Sequence, residues 1–145
     1  MSQSRLLVLT LLAWLLVLAA GCSGRSPAPA SVTPAGDLAS TLAAAQQALD
    51  TGNLAAAEQG FRAALALDAR SAQAQFGLGN ALVRQNKLAE AEAAYRAAIQ
   101  ADPQMSTAHA NLGVVYYQQG SLTKAAESFN AALRLKADDP QTLYL

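Results

Sequence analysis

The chain has 145 residues, with ten Lys and Arg balanced by ten Asp and Glu, one Cys and one His. A single cysteine excludes an internal disulfide framework, and one histidine without a cysteine pair leaves a metal site only carboxylates to draw on. The charges form no basic stripe, and from Asp37 onward eight basic residues face ten acidic ones. This argues against nucleic acid as a partner, because that affinity comes largely from neutralising phosphates.

Residues 1–21 stand apart from the rest of the chain. Met1 to Arg5 carries one basic side chain, Leu6 to Ala20 is a near-continuous apolar run, and Gly21-Cys22 comes next. A positive start, a short apolar core and small residues before a cut site describe a secretory signal. The run is shorter than the ~20 residues that cross a bilayer comfortably. The stretch Ala19-Ala20-Gly21-Cys22 resembles the lipobox of bacterial lipoproteins, although Ala19 stands where that family usually has Leu. The resemblance implies that the signal is removed before Cys22, that the thiol is diacylated and that the new amino group is acylated. Several acyl chains hold a protein to a membrane far more firmly than one. Ser23 comes directly after the cysteine and is not Asp, so in an organism with two membranes the resemblance implies the outer one, facing the periplasm. With one membrane, the outer face of that membrane is implied.

Residues 22–36 are then expected to be the lipidated Cys and a tether. Pro27, Pro29 and Pro34 among Ser, Gly and Ala cannot bury enough apolar surface to order the segment. Prolines keep such a stretch extended, so it would lift the folded part off the membrane.

From Asp37 the pattern changes to a repeat. Leu54 to Ala69, Leu88 to Pro103 and Leu122 to Ala137 align without a gap at a period of 34. The columns hold Leu54, Leu88 and Leu122; Ala57, Ala91 and Ala125; Phe61, Tyr95 and Phe129; and Ala64, Ala98 and Ala132. Within a unit the apolar steps are three and four, the stripe of an amphipathic helix. A second helical pattern precedes each one, and the two are punctuated at Thr51-Gly52-Asn53, Gln85-Asn86-Lys87 and Gln119-Gly120-Ser121. Gly and Asn there suit the left-handed residue that closes a helix. Asp37 is expected to cap the first helix, and Ser71 and Ser106 to cap later ones. Gly79 and Gly113 lie inside helices, where glycine costs about 1 kcal/mol relative to Ala. The compensation expected is close approach of the paired helix.

These units resemble tetratricopeptide repeats. Asn111-Leu112-Gly113, Tyr116, Ala125, Phe129 and Ala132 match the family pattern, as do Leu78-Gly79, Ala91, Tyr95, Ala98 and Pro103. The first unit departs from it, with Ala44-Ala45 in place of Leu-Gly, and no unit carries the family's Trp. The expected fold is all-α: an α-solenoid of three helical hairpins over residues 37–139, in units 38–71, 72–105 and 106–139. Residues 140–145 would begin a truncated fourth unit or form a capping helix.

No catalytic constellation is visible. Glu90 and Glu92 diverge by ~200° around their helix, there is no glycine-rich phosphate loop, and His109 reads as packing between hairpins. The expectation is a non-enzymatic protein without cofactor or metal. The resemblance places the first helix of each hairpin on a concave face, and repeats use such faces as extended binding surfaces. The candidate peptide-binding residues are Phe76, Asn80, Arg84, Asn111, Val114, Tyr117 and Gln118. Asn80 and Asn111 fall where carboxylate-clamp members grip a peptide C-terminus, but Phe76 occupies the first place where the clamp needs Lys. A generic groove for an extended or helical segment is the better match. Lipidation is expected at Cys22.

The sequence thus reads as a lipid-anchored adaptor or scaffold of the bacterial envelope, with a protein or peptide partner, as in pilus, secretion or outer-membrane assembly. Two alternatives stay open: a structural module that self-associates, or the anchoring part of a larger protein.

Overall fold

In the computed structural model, residues 36–137 are described. The expectations for the signal segment, the Cys22 anchor, the tether before Gly36 and the start of a fourth unit at 140–145 concern residues outside that range.

The described residues form six helices: α1 Leu38–Asp50, α2 Leu54–Leu67, α3 Ala72–Arg84, α4 Leu88–Ala101, α5 Ser106–Gln118 and α6 Leu122–Ala137. No strand occurs among them. They pair as hairpins, α1 with α2, α3 with α4 and α5 with α6, and each hairpin stacks on the next through α2–α3 and α4–α5. The all-α solenoid of three hairpins is the observed fold. No helix among the described residues is long and apolar enough to cross a membrane.

The turn inside each hairpin is the same device three times. Gly52, Asn86 and Gly120 all have positive φ, at 80°, 60° and 76°. After each, a backbone N–H reaches back five residues: Asn53 to Ala48 O, Lys87 to Leu82 O and Ser121 to Tyr116 O, at 2.9, 2.9 and 2.8 Å. This is the Schellman closure, which satisfies otherwise orphaned carbonyls. Helix starts are capped by Asp37, which accepts from Ala39 N, by Asn53, which accepts from Ala56 N, and by Ser71, which accepts from Ala74 N. Ser106 does not cap. It is the first residue of α5, whose N-cap is Met105 with no side-chain bond, because the chain enters the helix one residue earlier than the serine suggests.

Hairpins close through small residues. Ala57 and Ala91 are fully buried and Ala125 is nearly so. A methyl group placed at Gly79 would lie 2.6 Å from Tyr95 Cε1, and one at Gly113 would lie 2.8 Å from Phe129 Cδ1. The glycines therefore make room for the aromatic of the paired helix, at the positions where that was expected.

The two ends of the stack differ. Ala74 and Ala108, Leu78 and Leu112, Ala81 and Val115 are buried columns on α3 and α5. Their counterparts on α1 are Ser40, Ala44 and Gln47, all exposed. The departure of α1 from the repeat pattern is thus the polar face of a first helix with no hairpin packed before it among the described residues. At the other end Phe129 and Ala132 are half-buried, although Phe61, Tyr95, Ala64 and Ala98 in the same columns are buried. Leu133 is 65% exposed. Asp68 and Asp102 end α2 and α4 in extended backbone, each accepting an N–H two residues on. Lys136 holds that register position in the third hairpin, and α6 runs through it to Ala137.

Candidate functional site

The concave candidates sit on α3 and α5. Asn80, Arg84, Asn111 and Val114 line one cleft of about 250 Å³, together with Val83 and Tyr95. Tyr95 comes from α4, the helix behind. Its ring is in the hairpin core, and its hydroxyl donates to Asn80 Oδ1 at 2.7 Å. Asn111 Nδ2 donates to the same oxygen at 3.0 Å and lies 3.5 Å from the Tyr95 hydroxyl. One carboxamide oxygen thus ties α3, α4 and α5 together. Burial pushes the Tyr95 phenol up to about 12, with the Asn111 hydrogen bond pulling weakly the other way.

Arg84 projects from the end of α3, and its Nη1 donates to the carbonyl of Leu49 in the last turn of α1. A cation there meets the negative end of the helix dipole, at a carbonyl that also accepts from Gly52 N at 3.1 Å. Arg84 therefore joins two hairpins as well as lining the cleft.

Phe76 is placed differently. It packs half-buried against the core, its ring centroid 5.8 Å from that of Tyr95. Core packing accounts for it, and it does not line the cleft with Asn80. Tyr117 is 65% exposed and Val114 40% exposed, on one face of α5 three residues apart. Gln118, the last residue of α5, is exposed. Of the seven candidates, four meet in the cleft, two are exposed on the end of α5, and Phe76 belongs to the core edge.

Two groups went unread in the sequence. The Tyr95 hydroxyl was hidden inside an aromatic column that also contains Phe61 and Phe129, and only the extra oxygen on Tyr95 signals a polar role. The second is a repeated clasp between hairpins. Glu58, buried on α2, accepts from Gln85 Nε2 and Lys87 Nζ, each at 2.9 Å, and pairs with Arg62 at 2.8 Å. Arg62 reaches on to Glu90 at 3.3 Å. The hydrogen bonds from Lys87 and then Gln85 hold the Glu58 carboxyl below its usual range, against the opposing effect of burial. At the same register one unit later, Glu92 accepts from Tyr116 at 3.2 Å and Gln119 at 3.3 Å, with Arg96 at 3.8 Å. The recurrence of Glu58 and Glu92, Arg62 and Arg96, and Gln85 and Gln119 at a spacing of 34 was the available signal. Ala126 and Asn130 replace the Glu and Arg in the third unit.

His109 is half-buried, with Nε2 3.3 Å from the carbonyl of Pro103. Among the described residues no three His, Cys, Asp or Glu side chains gather as metal ligands.

Stacked helical hairpins with a cleft on their first helices define an α-solenoid repeat protein. The Tetratricopeptide repeat family model matches residues 42–106 and 79–140, and the chain belongs to that family. No curated protein matches the sequence. Among solved structures, the crystal structure of MamA superposes with a TM-score of 0.69 at 21% identity, over 72% of this chain and 61% of that one. The chain thus spans about 61% of the MamA chain. The Yersinia enterocolitica type III secretion translocator chaperone SycD gives 0.69 at 21% identity, over 72% of each chain. The second repeat domain of Spaghetti (RPAP3), bound to the HSP90 peptide SRMEEVD, gives 0.67 at 24% identity, over 69% of this chain and 93% of that one. At these identities the likeness is one of fold.

Proposed function

We propose that this chain is a lipid-anchored adaptor of the bacterial cell envelope, which holds protein segments on its concave face. The observation that carries the binding role is the cleft between α3 and α5, lined by the exposed Val114, with the exposed Tyr117 three residues further along α5. Apolar side chains left in water beside paired carboxamides are what an interface anchor requires. The same fold serves a secretion chaperone in SycD and holds a peptide in Spaghetti, which supports a protein partner here. The envelope role rests on the signal pattern and on Cys22, whose acylation would fix the repeats to a membrane surface. A non-enzymatic role agrees with a site of amides, a phenol and a guanidinium held on a carbonyl.

The test is photo-crosslinking in cells with benzoylphenylalanine at position 117, using the exposed Ala93 of α4 as control. Adducts of defined mass from position 117, absent from position 93, are expected in the membrane fraction. Equal labelling from both positions would remove the concave face as the site. A second reading, self-association, draws on the groove of about 430 Å³ where Phe129, Ala132 and Leu133 meet α5. A sedimentation coefficient that falls to the monomer value in Leu133→Asp would favour it.

A further inference from the structure

We infer that two copies of this chain pair through the outer face of α6, antiparallel and related by a two-fold axis. This rests on the self-association reading and adds where and how the copies meet; the concave faces stay open.

The outer face of α6 departs from the faces that seat a following hairpin. On α2 and α4 that face carries an ion pair, Glu58–Arg62 and Glu92–Arg96. Its carboxylate accepts from the turn of the next hairpin, through Gln85 and Lys87 or through Gln119. On α6 the same two positions are Ala126 and Asn130. Asp68 and Asp102, which end α2 and α4, give way to Lys136, and α6 has 16 residues where the other two have 14. The polar joint for a following hairpin is thus not repeated on α6, while its apolar columns are kept.

The result is an uncharged stripe. Leu122, Ala126, Phe129 and Leu133 recur at steps of four, three and four, on one side of the helix. Leu122 is 63% exposed and Leu133 65%, whereas Leu54, Leu88, Leu65 and Ile99 in the same columns are half-buried. Of the five large apolar side chains exposed among the described residues, Leu122 and Leu133 are on this stripe and none is on α1. Head-to-tail stacking would set the stripe against Ser40, Ala44 and Gln47, all small or polar. The apolar match that the described residues offer is the stripe itself, and a patch that pairs with its own copy does so about a two-fold axis.

An antiparallel pair centred between Phe129 and Asn130 fits the residues present. Leu133 lies level with Ala126 of the second copy, large against small, and the contact occurs twice. A carboxylate kept at that position would be buried without a donor, at high cost. Asn130, beside the axis, carries both a donor and an acceptor and can meet its own copy. Glu127 and Arg134, both exposed, are two helical turns apart on one flank of the stripe. The two-fold axis brings Glu127 to within about two residues' rise, ~3 Å along the helix, of Arg134 of the second copy. The groove of about 430 Å³ adjoins the stripe at Phe129 and Leu133. Ala110 lines it where the middle hairpin has Phe76, which leaves room for a side chain of the second copy.

The experiment is sedimentation velocity of the full chain in density-matched detergent, over a range of concentrations. A dimer is expected. Glu127→Arg and Arg134→Glu, each alone, set like charges across the joint and should weaken the dimer about tenfold or more. Both positions are exposed, and circular dichroism checks that the helices are intact. Mixing the two single variants, or joining both substitutions in one chain, returns opposite charges to the joint and should restore the dimer. A dimer that ignores the charge reversals and Leu133→Asp, or that mixing fails to restore, would mean that the copies meet elsewhere. This inference then falls and the self-association reading stands. A monomer at all concentrations removes both and leaves the concave-face reading untouched. Maleimide labelling of Leu133→Cys in that monomer, read by peptide mass, then says what covers the stripe. Protection would assign it to residues beyond 137 of the same chain, and free reaction would leave it to another protein.

Discussion

The Tyr95 hydroxyl donates to Asn80 Oδ1 at 2.7 Å, linking a side chain buried in the hairpin seam to the floor of the concave cleft. Tyr95→Phe keeps the ring and removes the donor. A loss of about 1 kcal/mol in unfolding free energy is expected, read as a lower denaturant midpoint at unchanged m-value. An unchanged midpoint would show that the bond adds nothing beyond what water offers.

The same phenol sets an alkaline limit. Its folded pKa is raised to about 12, above the ordinary value of 10. Between those values the unfolded chain releases a proton that the folded chain retains, so stability falls as pH rises above about 10. Ultraviolet titration of the folded protein should show a tyrosine ionisation delayed to about pH 12, and Tyr95→Phe should remove that step. A wild type whose tyrosines all ionise together near pH 10 would contradict the burial of this group.

Glu58 sets the acid side. Its carboxyl is held below the usual range by Lys87 and Gln85, so its contribution is present above the unfolded value of about 4.3 and is lost as pH falls through the lower folded value. Glu58→Gln should flatten the fall in stability below about pH 4.5 and leave Lys87 without its partner at neutral pH. Thermal melts from pH 3 to 7 for both proteins check this. Parallel curves would mean that other carboxylates govern the acid limb.

Close packing makes the small-residue columns intolerant. Gly79→Ala gains up to ~1 kcal/mol of helix propensity but places a methyl 2.6 Å from Tyr95 Cε1. Ala91→Leu adds three carbons at a position with no exposure. Overpacking typically costs ~1–3 kcal/mol, so Ala91→Leu should lower stability clearly. Gly79→Ala should come out less destabilising than Ala91→Leu, and chemical denaturation ranks them. A stabilised Gly79→Ala would show that the Tyr95 ring can shift freely.

The proposed anchor has its own test. Cys22→Ser should abolish incorporation of labelled palmitate and leave the signal segment uncut, read as a higher mass, with the repeats still helical by circular dichroism. Labelling that survives the substitution would end the lipoprotein reading.

What the sequence alone determined is everything that depends on spacing along the chain. The 34-residue register placed all six helices, because helical stripes and turn residues are properties of neighbours. It located the left-handed residues at Gly52, Asn86 and Gly120 and the close approaches at Gly79 and Gly113, since each answers to backbone geometry that repeats with the unit. The family resemblance, rather than the period itself, put Asn80 and Asn111 on one face. Only the tertiary structure decided how those side chains are spent. Phe76 shares a helix with Asn80 yet turns into the core edge, because the Tyr95 ring lies there to receive it. Arg84 is committed to the Leu49 carbonyl, an acceptor 35 residues away that no periodic pattern marks. Asn80 takes bonds from α4 and α5 at once, which fixes the polarity the cleft presents. Those outcomes depend on side-chain directions and distances between helices, and a one-dimensional period carries neither.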